Sequence, residues 1–218
     1  FNIWSEPMRR FQLAAEGFGP RQPPDHLRSR LKQAMHPLPI WYAPFGDEDA
    51  AFGYPVHALT QRPMDMYHSW GSQNAWLRQI KGHNYLYLPT KIWETQGFSE
   101  GDWARVSSRA GTIVVPVAHM AALNENTVWT WNAIGKRKGA WALDHGAPEA
   151  TTGFLLNHLI SELLPDRDGM RLSNSDPVTG QAAWFDQRVR VERVAAADHP
   201  RGTIEPMFDR LPDPPRAG

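Results

Sequence analysis

Residues 101–117 read GDWARVSSRAGTIVVPV and contain the clearest strand–turn–strand pattern of the chain. Apolar and polar residues alternate from Ala104 to Ser107, and a continuous apolar run follows Thr112. Alternation with a period of two is typical of a strand that is buried on one face. Between the two runs, Ala110-Gly111 can adopt the backbone of a tight turn. The stretch therefore predicts a β-hairpin, and by itself it carries no functional signal.

Short apolar runs of the same kind, separated by turn residues, occur on both sides of this hairpin. The six predicted strands are Tyr54–Leu59, Tyr85–Leu88, Trp103–Ser107, Thr112–Val117, Thr127–Trp131 and Arg188–Val194. Several short strands at this spacing favour a small closed barrel. Helices are predicted from Lys91 to Gln96, closed by Gly97, and from Gly153 to Leu164, stopped by Pro165. The sequence thus predicts a mainly β fold with a few helices, with the barrel over residues 54–194.

The segments on either side of the predicted barrel have a different composition. Residues 1–53 are dense in proline and glycine, and only Asp25 to Met35 has a helical pattern there. We interpret residues 1–53 as an extended arm or linker. The proline-rich residues 195–218 are predicted to form an extended C-terminal tail.

Composition excludes several classes of function. Lysine and arginine number 23 and aspartate and glutamate also 23, so no global field favours nucleic acid as a partner. The absence of cysteine excludes disulfides, thiolate zinc sites and iron–sulfur clusters within this chain. No apolar run approaches the roughly 18 residues that a membrane span needs.

The polar run from Leu59 to Ser72 directly follows the first predicted strand. A polar loop at a strand end is a common place for a binding site, although the composition by itself favours plain loop structure over ligand contact. His57 and His68 are not at metal-ligand spacing from another histidine or carboxylate, so we expect no metal bound directly by this chain.

Other motifs are weaker. Asn157 lies in an apolar stretch, where its amide could satisfy backbone groups or read the edge of a heterocycle. The basic run at residues 135–139 could be a solvated loop or an anion contact. Neither a Gly-x-Ser-x-Gly elbow nor a glycine-rich phosphate loop occurs, so a hydrolase or nucleotide-loop interpretation has no support.

The order of these segments resembles the molybdopterin-dinucleotide-binding domain of the dimethyl sulfoxide reductase superfamily. The segments that carry the resemblance are Thr60-Gln61-Arg62-Pro63, Tyr67-His68-Ser69-Trp70, Gly97-Phe98 before Gly101-Asp102, Gly111, Trp129 to Trp131, Asn157 and Asn174-Ser175-Asp176-Pro177. Within the superfamily the chain is most similar to catalytic subunits that process sulfur oxyanions, such as sulfite dehydrogenase and thiosulfate or polysulfide reductase.

The resemblance implies a fold, a cofactor and a set of contacts. The fold would be a six-stranded double-psi β-barrel of the aspartate decarboxylase type, and the cofactor a bis-molybdopterin guanine dinucleotide with molybdenum or tungsten. The positions that match the family's cofactor contacts are Thr60, Gln61, Arg62, Tyr67, His68, Ser69, Trp70, Asn157, Asp186 and Gln187. Gln61 replaces a usual glycine, and Phe185, Asp186 and Gln187 stand where the family often has a lysine. Because the metal's protein ligand lies in the family's N-terminal portion, no residue of this chain is expected to be catalytic.

Two interpretations from different classes follow. In the first, the chain is one part of a molybdenum or tungsten oxidoreductase that acts on an inorganic sulfur compound such as sulfite. Its partners would be the N-terminal portion of the same enzyme, an iron–sulfur subunit for electron transfer, and a membrane anchor, with a cytoplasmic location favoured over a periplasmic one. In the second, it is a free-standing barrel that binds a partner protein or a small ligand through its tryptophan-rich surface. A self-processing decarboxylase on the same barrel is disfavoured, because Gly71-Ser72 is the sole Gly-Ser pair.

Overall fold

The fold is that of a computed structural model of the chain. The structure describes residues 3–41, 49–71, 74–81, 84–132, 134, 154–160, 176, 178–182 and 187–195. The chain divides into two compact units, one formed by Phe1–Pro44 with Ser161–Ala183 and the other by Phe45–Ile160 with Trp184–Gly218. Each unit is described by itself below.

The first unit contains two helices, α1 over Glu6–Glu16 and α2 over Asp25–Ala34. The helix predicted from Asp25 is confirmed. The expectation that residues 1–53 contain a single helix was wrong, because α1 precedes α2. Proline lies in the first turn of α1, where its missing amide has no partner to lose, and left-handed Gly17 ends the helix. Proline and glycine are therefore helix boundaries here. The assignment of residues 1–53 as an arm stays a prediction.

The second unit is a closed barrel of six strands, as the sequence predicts. The strands are β1 (Val56–Gln61), β2 (Leu86–Leu88), β3 (Trp103–Ser107), β4 (Thr112–His119), β5 (Thr127–Trp131) and β6 (Arg188–Val194). Their order around the barrel is β1-β5-β2-β4-β3-β6. The pairs β1/β5 and β2/β4 are parallel, and the other four pairs are antiparallel. The double-psi connection of the strands stays a prediction.

The inward side chains of the strands fill the barrel. Alternate positions of β5 and of β3 are buried, which is the period that the sequence showed. The residues that form this core are Ala58, Leu86, Leu88, Ala104, Val106, Ile113, Val115, Val117, Val128, Val189 and Val191. Branched aliphatic side chains therefore pack in the barrel interior, and polar residues are left for its ends and outer face.

Short helices connect the strands. Between β1 and β2 lie α3 (His68–Gly71) and α4 (Ala75–Ile80), and α5 (Thr90–Thr95) follows β2 within one residue of the predicted helix. The helix predicted over residues 153–164 was wrong over its described part. Leu155 and Ile160 have extended backbone, and Leu156–Leu159 forms a single 3-10 turn. Such a turn aligns residues three apart, so it buries Leu156 and Leu159 on one side.

Candidate functional site

The carboxyl ends of the parallel strands β1 and β5 meet at one end of the barrel. Thr60 is level with Thr130 and Gln61 with Trp131, and the Asn132 amide donates a 2.7 Å hydrogen bond to the Gln61 carbonyl. Strand directions place the start of β2, the β3–β4 turn and the start of β6 at the same end. We call this end, from which the segment 62–81 departs, the β1/β5 end.

The predicted contact residues from Thr60 to Trp70 lie in the part of the chain that leaves the barrel at the β1/β5 end. Thr60, Gln61 and Arg62 finish β1 and leave it, whereas His68, Ser69 and Trp70 lie in α3. Tyr67 directly precedes α3, and its side chain is 74% exposed, close to the 76% of Trp70. The two aromatic side chains thus present nearly their full surface.

Asn157 is attached to the same end through the β3–β4 turn, whereas Gln187 lies beside the middle of β1. Asn157 is exposed in the 3-10 turn, which the buried Ser108 tethers to the β3–β4 turn through a 2.6 Å hydrogen bond to the Leu159 carbonyl. Gln187 precedes β6, and its carbonyl accepts a hydrogen bond from the Ala58 amide of β1. Asp186, the neighbouring predicted contact, lies outside the described residues, as does the basic run at residues 135–139.

Asn84 is a residue of this end that sequence reasoning missed. It is 1% exposed, and its side chain makes hydrogen bonds to the last two residues of β5. Its Oδ1 accepts from the Thr130 hydroxyl at 3.0 Å and from the Trp131 amide at 3.3 Å, while its Nδ2 donates to the Trp131 carbonyl at 3.0 Å. Asn84 therefore fixes the start of β2 to the end of β5. Its position just before an apolar strand was the available signal.

The segment 62–81, predicted as a polar loop, is a packed structure with two short helices. The Asn74 side chain caps α4 by accepting from the Trp76 and Leu77 amides. Gly71 is buried, and a Cβ on it would lie 3.1 Å from the Met66 Cα and 3.3 Å from the Leu77 Cδ1. A larger residue at Gly71 would therefore separate α3 from α4. Packing of this kind gives Tyr67 and Trp70 a defined backbone position.

An ion pair joins the two ends of this segment. The Lys81 Nζ lies 3.7 Å from the Asp65 Oδ1 and 4.1 Å from the ring centroid of Trp131. Only 24% of the Lys81 side chain and 18% of the Asp65 side chain are exposed. The Asp65 Oδ2 is buried and has no hydrogen-bond partner among the described residues. The segment's beginning, its end and the last residue of β5 are thus held in one cluster.

Large apolar side chains of the segment face outward. Among its described residues these are Met64, Tyr67, Trp70, Trp76 and Ile80, and each is at least 69% exposed. Five such side chains within one short segment exceed the singly scattered ones of an ordinary protein surface, and they indicate a surface that another molecule or another part of a protein covers. The backbone that presents these side chains is held by buried contacts of Met66 and Gly71.

Asp176, from the predicted Asn174–Pro177 motif, belongs to the first unit. Its carboxylate accepts hydrogen bonds from the Thr179 and Val178 amides and the Thr179 hydroxyl, at 2.7, 2.9 and 3.0 Å. These donors, the Thr179 amide first, hold the pKa of Asp176 below its usual value. The carboxylate serves a local turn, and the other three residues of the motif lie outside the described ranges.

The described residues contain neither a metal-binding cluster nor a membrane-spanning helix. In the ranges given above, no group of three or more histidine, cysteine, aspartate or glutamate residues could hold a metal ion. No helix among those same residues is both long enough and apolar enough to cross a bilayer.

Residues 56–175 match the family model of the molydopterin dinucleotide binding domain. The match covers more than half of the chain and includes the barrel strands from β1 to β5 together with the segment 62–81. The chain belongs to this family of cofactor-binding domains.

A curated relative is similar over nearly the whole chain. This protein, a sulfite dehydrogenase subunit of Allochromatium vinosum, is 54% identical over 217 residues, which cover 97% of this chain and 22% of the relative. The chain thus spans about a fifth of the length of the relative that it matches. Among solved structures, acetylene hydratase from Pelobacter acetylenicus superimposes with a TM-score of 0.56 at 20% identity, over 77% of this chain and 23% of that one. At this identity the likeness concerns the fold alone.

Proposed function

We propose that this chain is the barrel of a molybdenum or tungsten oxidoreductase that binds a bis-molybdopterin guanine dinucleotide at the β1/β5 end. One observation carries the proposal. Within the part that matches the family model, the segment after β1 is packed tightly in its interior and presents Tyr67 and Trp70 almost fully exposed. A rigid scaffold that displays aromatic and polar groups at a strand end has the properties of a binding site.

The residues present fit such a cofactor. Exposed aromatic rings offer faces for a planar heterocycle, and the Asn157 amide can donate to and accept from its edge. The Arg62 guanidinium, which is exposed where the chain leaves β1, matches a phosphate oxygen in charge and geometry. Thr60 adds a hydroxyl at the same strand end. The predicted contact set therefore contains the aromatic, amide, cationic and hydroxyl groups that a large anionic heterocycle needs.

The division of labour follows from this donor set. When bound, the cofactor supplies the two-electron redox chemistry at its metal. In this proposal, the chain's part is to bind and orient the organic portion of the cofactor. Asn84 and the packed segment 62–81 keep the contact groups in place, and the aromatic side chains exclude water from the surface that they cover.

For the substrate, we propose an inorganic sulfur compound such as sulfite. The support is the 54% identity to a protein that is named as part of a sulfite dehydrogenase. The N-terminal portion of the enzyme is the proposed partner for the exposed apolar side chains that are not assigned to the cofactor, namely Met64, Trp76 and Ile80, because the relative is several times longer than this chain. An iron–sulfur subunit, a membrane anchor and a cytoplasmic location stay proposals that rest on the resemblance alone.

Trp70→Ala, made in the enzyme that contains this chain, tests the placement of the site. We expect cofactor to dissociate about tenfold faster, equivalent to about 1.4 kcal/mol, because an aromatic face is lost. The Trp70 side chain is exposed, so the melting temperature of the barrel should hardly change. Release is measured by the decay of the cofactor's visible absorption during dilution.

Trp41→Ala is the matched control, since Trp41 is equally exposed but lies in the first unit and outside the predicted contacts. Cofactor release from this variant should equal that of the unsubstituted enzyme. Equal release from all three proteins would show that Trp70 is not a cofactor contact.

A further inference from the structure

We infer that Asp65 and Lys81 are positioning residues for cofactor binding, acting as a clasp that holds the segment 62–81 against the end of β5. We call the pair, with the Trp131 ring beneath the ammonium group, the Asp65–Lys81 clasp. The inference deepens the proposed function and rests on it, because it says how the contact side chains Tyr67 and Trp70 are held in place.

The chain position of the clasp is the first argument. Asp65 lies three residues after Arg62, and Lys81 directly follows α4. The two side chains therefore connect the beginning of the segment with its end, and α3 and α4 lie between them. Lys81 also contacts Trp131, whose backbone is bound on one side by Asn84 and whose register partner on the other side is Gln61. The Lys81 ammonium group thus connects the segment 62–81 to β5, the strand that pairs with β1, from which the segment departs.

The charges of Asp65 and Lys81 are close together and largely buried. The 3.7 Å separation between Lys81 and Asp65 is an ion-pair distance that is too long for a good hydrogen bond. Both side chains are largely buried, and the Asp65 Oδ2 has no hydrogen-bond partner in the described part of the chain. A carboxylate in this setting depends on the neighbouring ammonium group for its compensation, since removing one member of a buried pair leaves an uncompensated charge. The cation over the Trp131 ring gains a further attraction that is stronger because water is partly excluded.

The position of the clasp relative to the contact side chains is a further argument. Met66 directly follows Asp65 and packs against Gly71, the last residue of α3, so we expect a shift of Asp65 to move the backbone of Tyr67 and Trp70. Tyr67 and Trp70 are mostly exposed, whereas their neighbours Met66 and Gly71 are buried. We infer that the packed residues Met66 and Gly71, together with the clasp, set the backbone position of Tyr67 and Trp70.

The chain offers a matched control pair at the opposite end of the barrel. Lys91 and Glu125 form an ion pair at 3.2 Å in which both side chains are mostly exposed. Lys91 lies after the carboxyl end of β2, and Glu125 precedes the amino end of β5. An exposed pair contributes little to stability. Substitutions of the same kind at Lys91 and Glu125 therefore serve as controls, because they remove an ion pair without touching the segment 62–81.

The test compares Lys81→Met and Asp65→Asn with Lys91→Met and Glu125→Gln, all in the enzyme that contains this chain. For the two clasp variants we expect faster amide hydrogen exchange in residues 64–80, unchanged exchange in the six strands, and cofactor release that is about tenfold faster. Lys81→Arg keeps the cation over the ring, so its release rate should stay within about twofold of the unsubstituted enzyme. The two control variants should match the unsubstituted enzyme in both measurements.

Several outcomes would overturn the inference. Exchange and release in Lys81→Met that equal those of Lys91→Met would show that the pair positions nothing. Uniform loss of protection over all six strands would make Lys81 a general stability residue, and failure of Lys81→Arg to restore slow release would exclude the clasp geometry. If the unsubstituted enzyme contains no pterin cofactor, the proposed function fails, and the exchange data still decide whether the clasp orders the segment.

Discussion

Asn84→Ala is expected to lower the free energy of unfolding by about 3 kcal/mol, because it removes the partner of the buried Thr130 hydroxyl and of two part-buried backbone groups of Trp131. The Thr130 hydroxyl and the amide and carbonyl groups of Trp131 all bond to the Asn84 side chain, which is almost completely buried. The alanine side chain has no polar atom and cannot form any of these three hydrogen bonds. The effect is read from the urea midpoint of the purified chain, followed by circular dichroism.

Asn124→Ala is the control for this prediction. Asn124 is exposed, and its side chain accepts one 3.2 Å hydrogen bond from the Asn126 amide in a turn. We expect a loss below about 1 kcal/mol for this variant. Equal urea midpoints for Asn84→Ala and Asn124→Ala would mean that the end of β5 does not depend on Asn84.

Phe154→Ala is expected to lower the free energy of unfolding by about 4 kcal/mol, through lost apolar burial and the cavity that remains. Phe154 is 1% exposed and packs in the barrel core directly before the 3-10 turn. The turn carries Asn157, so the same change should also weaken the cofactor contact proposed for that residue. Urea unfolding gives the first quantity, and the rate of cofactor release gives the second.

The adjacent residue provides the control for Phe154. Leu155 is substantially exposed and can be truncated to alanine with a loss below about 1 kcal/mol. The informative quantity is therefore the difference in unfolding free energy between Phe154→Ala and Leu155→Ala. A Phe154→Ala protein as stable as Leu155→Ala would contradict the packing of this segment into the barrel.

The strands were predictable because their signal is local. β3, β5 and β6 begin and end at the predicted residues, since alternating burial and flanking turn residues define each of them within a few positions. The helical content was less predictable. Proline in the first turn concealed α1, and an apolar run near Leu156 has the same residue types in a 3-10 turn as in an α-helix.

The sequence assigns the candidate site a place in the chain, whereas it contains no signal for the site's internal construction. A polar segment that follows a strand and matches a family motif predicts cofactor contacts from Thr60 to Trp70, and these contacts stay a prediction. The bonds from Asn84 to β5 and the pair formed by Asp65 and Lys81 join residues 47 and 16 positions apart. Such contacts depend on strand order and helix packing, which no local pattern contains.

The proposal that this chain binds a metal-containing pterin cofactor is tested by the molybdenum and tungsten content of the purified enzyme that contains it. Inductively coupled plasma mass spectrometry should find about one metal atom per polypeptide, together with pterin released on acid denaturation, because the bis-pterin cofactor carries one metal. Metal-replete cells that yield enzyme with neither molybdenum nor tungsten, and without pterin, would contradict the account.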